Sequence, residues 1–340
     1  MKILIISPTQ SGIGGISKHV QGLTTYLESK NHSVKIISSE NTFTIPINKL
    51  KNPSFMLSAL FKTKLYKNYD IIHAHHPIAA FAFKGHPAKK VVTFHGIYSN
   101  QIEMLHGKAA QTLSNKYEQN ALKWSDAITA GSKESFDYYN KFQSNIFFIP
   151  NAIHIDSLPS DIDKRFEKQI IFVGRLSKEK GIHTVIESAK NLPSDIDLII
   201  VGNGPEENFV VESIKNYKNI HYLGYQPKEK TIPLIRGSKL LIQPSLVEGI
   251  STSLLEAMAC KTTIIATNVG GNIELLKNHK TGVLIEPKNS EELLKEIIFL
   301  LNNPGTSEEI SNAAFDDVQQ YDWSNVGKKY VNLYEKLLNN

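Results

Sequence analysis

Glu248-Gly249-Ile250-Ser251-Thr252-Ser253-Leu254-Leu255-Glu256-Ala257-Met258-Ala259-Cys260 follows the apolar run Leu240 to Gln243, which reads as a buried parallel strand. Leu254 to Ala259 are good helix formers, so strand passes to helix through a turn carrying Gly249 and hydroxyl residues. The first amides of such a helix lack internal partners and carry the positive end of its dipole. They suit phosphate or hydroxyl-rich ligands. Glu248 stands before the turn and Glu256 about one turn into the helix, so both carboxylates are candidates for one crevice. Ser253-x-x-Glu256 also has the form of a capping box, which needs no ligand, and that reading of Glu256 stays open. Glu248 ends a buried strand, at the edge where open α/β sheets bind ligands.

Outward from this stretch, strand and helix signals alternate along the chain, which predicts parallel sheets built from βαβ units. Strands are expected at Lys2–Ser7, Val34–Ser38, Asp70–Ala74, Lys90–Phe94, Asp126–Ala130 and Asn145–Ile149. A second set is expected at Gln169–Val173, Ile196–Val201, Asn219–Leu223, Leu240–Gln243, Thr263–Ala266 and Gly282–Ile285. Polar residues from Asp156 to Lys168, with Pro159, read as a linker between two domains, and a length of 340 residues suits two.

Four local patterns bear on chemistry. Gly12-x-Gly14-Gly15 forms a glycine-rich turn after the first strand. Ser17 stands where a dinucleotide fingerprint needs its third glycine, so the turn fits close approach to a phosphate, or a tight connection alone. His73-Ala74-His75-His76 raises a metal site, but tight ligand sets usually need a helical i,i+4 pair or added carboxylates, and none is expected. His95 ends a strand at the ligand edge; the competing reading is a satisfied core histidine. Gly174-Arg175-Leu176-Ser177-Lys178-Glu179-Lys180-Gly181 places a guanidinium fork and an ammonium point charge between strand and helix, which suits a diphosphate. Asp161-Ile162-Asp163 and Asp195-Ile196-Asp197 read as ordinary surface carboxylates.

Composition sets the class. Hydrophobic residues make up 41% and charged residues 21%, as in ordinary globular chains. Cys260 is the single cysteine, so no internal disulfide forms and a reducing compartment is favoured. No apolar run approaches the ~20 residues that span a bilayer, and Met1 to Ser7 reads as a strand rather than a leader. A soluble cytoplasmic protein is expected. Residues 1–151 carry 17 lysines against eight carboxylates, while residues 152–340 carry 21 cations against 25 carboxylates. The basic half should meet something anionic. With no arginine before Arg165 and no nucleic-acid motif, a membrane surface or phosphorylated lipid fits better than nucleic acid. Ser54–Lys67 sharpens this: Phe55, Met56, Leu57, Leu60, Phe61 and Leu65 accompany Lys62, Lys64 and Lys67. Such a basic amphipathic helix either lies on a membrane or packs on the core with its lysines in water.

Glu248-x7-Glu256, with Gly249 after the first glutamate and Leu-Glu-Ala-Met-Ala around the second, resembles the signature of glycosyltransferase family 4. The resemblance implies the GT-B architecture: two Rossmann-like parallel-sheet domains facing across a cleft. It places an acceptor-side domain at residues 1–152, a linker at 153–168 and a sugar-nucleotide domain at 169–322. A last helix over residues 323–338 would pack back on the first domain. The implied reaction is retaining transfer from a nucleoside-diphosphate sugar to a glycan or lipid-linked acceptor, with no metal or other cofactor. Arg175 and Lys180 would neutralise the leaving diphosphate, Glu248 orient the donor sugar and His95 contact it. Amides of Ile250, Ser251 and Thr252 would assist, Glu256 would hold ribose, Gly202 and Tyr225 would flank the base, and Gly14 and Gly15 would face the diphosphate and acceptor. Pro150-Asn151-Ala152 resembles the family's Pro-Asn-Gly turn, with Ala for Gly. Cell-surface glycan or glycolipid synthesis at the inner face of the membrane is the setting implied. Two other classes remain: a sugar-nucleotide epimerase of the same architecture, and a nicotinamide-dependent oxidoreductase suggested by Gly12-x-Gly14 with Glu40.

Overall fold

Apolar runs flanked by turns become strands throughout the computed structural model, which describes residues 1–10, 15–47, 50–99 and 108–339. The chain divides into two units, Met1–Ala152 with Trp323–Asn340, and Ile153–Asp322.

In the first unit β1 (Lys2–Ser7), β2 (Ser33–Ser38), β3 (Ile71–Ala74), β4 (Lys89–Phe94), β5 (Ala127–Ala130) and β6 (Ile146–Phe148) form one sheet in the order β2-β1-β3-β4-β5-β6. Every pairing is parallel. The strands are near-continuous apolar runs because helices cover both faces. Leu4, Ile6, Ile72, Val92 and Phe94 serve one core, and Ile3, Ile5, Ile71 and Val91 the other.

In the second unit β7 (Gln169–Val173), β8 (Asp197–Val201), β9 (Ile220–Tyr222), β10 (Leu240–Gln243), β11 (Thr263–Thr267) and β12 (Val283–Ile285) take the order β12-β11-β10-β7-β8-β9, again parallel throughout. The strand order reverses between β7 and β10. The crevice outside strand ends at such a reversal is where doubly wound sheets bind ligands. The stretch 153–168, read as a linker, belongs to this unit. Ile153 and Leu158 are buried in its core, so apolar anchors hold a segment whose composition is mostly polar.

The helix Trp323–Asn339 packs in the first unit's core through Trp323, Val326, Tyr330, Leu333 and Tyr334. It crosses the helix Gly15–Ser29 at paired glycines. A Cβ on Gly327 would lie 2.3 Å from Cδ1 of Tyr26, and one on Gly22 would lie 2.1 Å from Nε1 of Trp323. Gly327→Ala should therefore destabilise the protein by about 1–3 kcal/mol in denaturant unfolding, despite alanine's better helix propensity. A neutral or stabilised variant would show that the two helices do not interlock.

Candidate functional site

In the second unit the chemistry gathers at the β7–β10 reversal. Lys180 follows β7 through a 3₁₀ turn, Lys178–Lys180, and Glu248 follows β10. The Lys180 ammonium donates to both oxygens of Glu248, at 2.7 Å to Oε1 and 2.6 Å to Oε2. Oε2 also accepts from Nε2 of Gln243 at 2.7 Å and Oγ of Ser245 at 3.0 Å. The Glu248 side chain is only 8% exposed, so these donors replace the water it has lost. Its carbonyl accepts the Gly271 amide at 2.9 Å, which fixes the main chain as well.

Two glycines let these turns meet backbone to backbone. Gly181 has φ +69°, and a Cβ there would fall 1.8 Å from the carbonyl oxygen of Pro244. Gly270 has φ +43°, and a Cβ there would fall 2.1 Å from the carbonyl oxygen of Glu248. The amide of Leu246 adds a 2.7 Å bond to the carbonyl of Glu179, tying the cationic turn to the glutamate loop.

The remaining candidates of this unit fall in graded positions. Arg175 is 61% exposed and its nearest carboxylate contact is 3.8 Å to Glu179, so its guanidinium is open to a ligand. The helix after Glu248 is Thr252–Ala259, with Ser251 as its N-cap. The capping box read at Ser253-x-x-Glu256 is therefore out of frame. Ser253 sits inside the first turn, and the Ser251 hydroxyl exchanges hydrogen bonds with the Gln243 amide at 2.8 and 3.2 Å rather than capping. Ile250 and Ser251 are buried and Thr252 half-buried. Glu256 is 3% exposed, well inside the helix's inner face. Gly202 donates its amide to the carbonyl of Gly224 at 2.9 Å, which brings the Gly202 turn beside Tyr225, a half-exposed ring.

The first unit also gathers polar groups at its own reversal, between β1 and β3. His75 follows β3, His95 follows β4, and His19 comes from the helix Gly15–Ser29. Ring centroids lie 5.4 Å apart for His19–His75, 4.9 Å for His19–His95 and 4.1 Å for His73–His75. The last helix closes over them. Tyr330 Oη is 3.1 Å from Nε2 of His19, and Tyr334 Oη is 2.7 Å from Nδ1 of His73, whose Nε2 meets Thr93 at 2.7 Å. Neither ring nitrogen of the fully enclosed His75 has a hydrogen-bond partner among the described residues. Asn151 faces both His19 and His95. Burial lowers His73 to about 3 and His76 and His95 to about 4, and drives His19 and His75 well below 6.5, with neighbouring imidazoles adding to the effect on most of them. Among the described residues no three His, Cys, Asp or Glu groups are placed to hold a metal ion. Gly15 opens its helix in described structure, while Gly12 and Gly14 lie outside the described residues. The Glu40 carboxylate accepts the Gln10 amide at 2.9 Å, so it braces the turn after β1.

Sequence reasoning passed over Gln243, Ser245 and the Gly270-Gly271 pair. A glutamine closing an otherwise apolar strand, and a Gly-Gly after the next strand, are the signals that mark them.

The histidines fix how stability varies with pH. Their folded values lie below the ordinary 6.5, so in acid the unfolded chain binds protons the folded chain refuses. Stability should be complete above about pH 7 and fall steadily below about 6.5, before carboxylates titrate. The slope of unfolding free energy against pH should report uptake of more than one proton in that window, and His75→Gln should flatten it. A flat profile down to about pH 5 would contradict the burial of neutral imidazoles.

Residues 160–317 match the family described as glycosyl transferases group 1, and residues 13–157 match glycosyltransferase family 4. A glycosyltransferase of Methanocaldococcus jannaschii is 27% identical, covering 96% of this chain and 96% of its own. The phosphatidyl-myo-inositol mannosyltransferase of Mycobacterium leprae is 23% identical, covering 98% of this chain and 96% of its own. Among solved structures, sucrose-phosphate synthase from Thermosynechococcus elongatus superposes with a TM-score of 0.86 at 19% identity, over 99% of both chains. Anabaena HepE, solved with UDP and glucose, gives 0.80 at 19% identity over 98% of this chain and 99% of its own. Two parallel six-stranded sheets with these neighbours make the fold GT-B. With its first half matched by one model and its second by the other, the chain belongs to the family 4, group 1 glycosyltransferases.

Proposed function

We propose that the chain transfers a sugar from a nucleoside diphosphate to a hydroxyl of a glycan or lipid-linked acceptor, with retention at the anomeric carbon, at the cytoplasmic face of an anionic membrane. The observation that carries this reading is the Lys180–Glu248 pair at the β7–β10 reversal, with Arg175 open beside the same strand end. A sugar nucleotide offers each member a new partner: phosphate oxygens for the two cations, sugar hydroxyls for the carboxylate. As the glycosidic bond breaks, the departing diphosphate gains charge, and preorganised cations stabilise that charge more than the ground state. The chain's own cations meet it, so the proposal requires no metal and no other cofactor. Amides of Ile250 to Thr252 assist, Glu256 takes ribose, and Gly202 and Tyr225 flank the base. His95, Gly14 and Gly15 keep the roles that the family resemblance assigns. Two relatives lend support in kind: HepE was solved with UDP and glucose, and the mycobacterial relative acts on a phosphatidyl lipid by its name.

Product analysis by mass spectrometry, with mixed sugar nucleotides and lipid or oligosaccharide acceptors, tests the reaction class. Transfer with an α-linked product from an α-linked donor supports it. Donor consumed without acceptor would point to an epimerase. Arg175→Ala should lower kcat by about 10²-fold or more with folding intact, and Lys180→Ala should lower it as much in the folded protein while also reducing stability, because Glu248 loses its cation. Wild-type turnover in both would remove these residues from the leaving-group site. Glu248→Gln tests the pair itself. Freed from its carboxylate, Lys180 should bind free nucleoside diphosphate several-fold more tightly in calorimetry, while transfer falls by about 10²-fold. Weaker diphosphate binding in that variant would show that Lys180 needs Glu248 to hold its position.

A further inference from the structure

The helix Lys51–Thr63 carries apolar residues on two opposite sides. Phe55, Met56, Ala59 and Thr63 are buried, and Phe55 and Ala59 pack in the first unit's core. Leu57, Phe61 and Leu65 recur every four residues, with Leu50 seven before Leu57, and so line the far side. They are exposed by 53%, 64%, 78% and 46% respectively, where a solvent-facing stripe should be polar. Phe43 and Ile47, both more than half exposed, extend the apolar surface into the preceding loop.

Along this row the sequence charge is of one sign, and the first carboxylate after it, Asp70, accepts the Lys2 backbone amide at 2.7 Å. From Asn41 to Tyr69 the sequence holds five lysines and no carboxylate. Lys62 is committed to the 41–42 loop, donating to Asn41 and Thr42. Lys64 lies 5.3 Å over the Phe61 ring. Together with Lys2 and Lys67, Lys64 lines an open surface cleft of about 380 Å³ whose walls also include Leu65, Tyr66 and Tyr69. Three ammonium groups around a cleft that borders exposed apolar side chains match an anionic phosphate headgroup attached to acyl chains. Among the described residues no helix is long and apolar enough to cross a membrane, so contact would be with the surface.

We propose that this face of the first unit docks on anionic phospholipid bilayers: Leu57, Phe61 and Leu65 enter the interfacial layer, and Lys2, Lys64 and Lys67 hold the headgroups. The inference rests on the membrane setting proposed above, and it names the surface and the lipid charge that setting requires. It differs from a general basic attraction because it needs both the apolar row and the cleft.

Co-sedimentation of the full chain with phosphatidylglycerol vesicles and with phosphatidylcholine vesicles tests it, at low and high salt. The wild type should sediment with the first and not the second, and salt should release it. The double variants F61S/L65S and K64E/K67E should each weaken binding by about tenfold or more at an unchanged melting temperature, since all four side chains face outward. Absence of wild-type binding to phosphatidylglycerol, or equal binding by F61S/L65S, overturns the proposal. So does a wild-type dimer in light scattering that F61S/L65S returns to monomer without any vesicle binding, which would assign the row to a second copy of the chain. Turnover on a water-soluble acceptor, measured in parallel, separates the two readings. Turnover without vesicle binding removes this surface alone, and vesicle binding without turnover removes the transferase chemistry alone.

Discussion

The second unit is organised around a carboxylate that cannot stand unpaired. Glu248 is almost enclosed, and an isolated buried carboxylate is far too costly to persist ionised. Its partners come from two pieces of chain: Lys180 from the turn after β7, and Gln243 and Ser245 from the end of β10 and the loop that leads to Glu248 itself. They meet because β7 and β10 are neighbours, with Leu240 opposite Ile170 and Leu241 opposite Ile171. The glycines at 181 and 270 follow from the same requirement, since a side chain at either would push the turns apart. Strand order, turn sequence and ion pair are thus one constraint seen at three scales. Removing one partner of such a pair costs about 3–5 kcal/mol when the other stays buried, which makes its release by a ligand with matching groups a meaningful exchange.

The first unit solves a comparable problem in the opposite way. Its polar residues at the strand reversal are imidazoles, and burial beside one another strips their charge instead of pairing it. Tyr330, Tyr334 and Thr93 then meet two of these neutral rings, His19 and His73, with neutral hydroxyls. The two strand-end regions are therefore different solvents. One offers paired charge, which suits phosphates, and the other offers neutral donors and acceptors, which suit hydroxyl groups.

Much of this was legible from sequence because parallel strands buried on both faces are continuous apolar runs, and each of the twelve is recognisable by itself. Arg175, Lys180 and Glu248 were legible as residues because each sits just past such a run. Their pairing was not, since Lys180 and Glu248 are 68 positions apart and meet only through the β7–β10 adjacency. The capping box was misplaced because Ser251, Thr252 and Ser253 are chemically alike, and only backbone geometry decides which one starts the helix. The segment 153–168 looked like a linker because two apolar anchors, Ile153 and Leu158, are outnumbered by polar neighbours. In Ser54–Lys67, periodicity merged two apolar faces into one. Phe55 and Phe61 score alike in a sequence, yet one is 1% exposed and the other 64%.

The geometry of the ion pair bears on how a site closed on itself accepts a donor under the transferase reading. The two oxygens of Glu248 are not equivalent. Oε2 receives Lys180, Gln243 and Ser245, whereas Oε1 receives Lys180 alone among the described residues. When a diphosphate draws the ammonium away, Oε2 keeps two donors, Gln243 and Ser245, and the carboxylate stays anchored. Oε1 is left as an acceptor held in the loop after β10, ready for a sugar hydroxyl. The cation moves toward the charge that grows on the leaving group, and the anion remains on the side where positive charge grows on the sugar. Under that reading both final positions favour the transition state over the ground state: the pair stores the cation and the anion side by side, and bond cleavage uses the cation on the leaving group and the anion on the sugar.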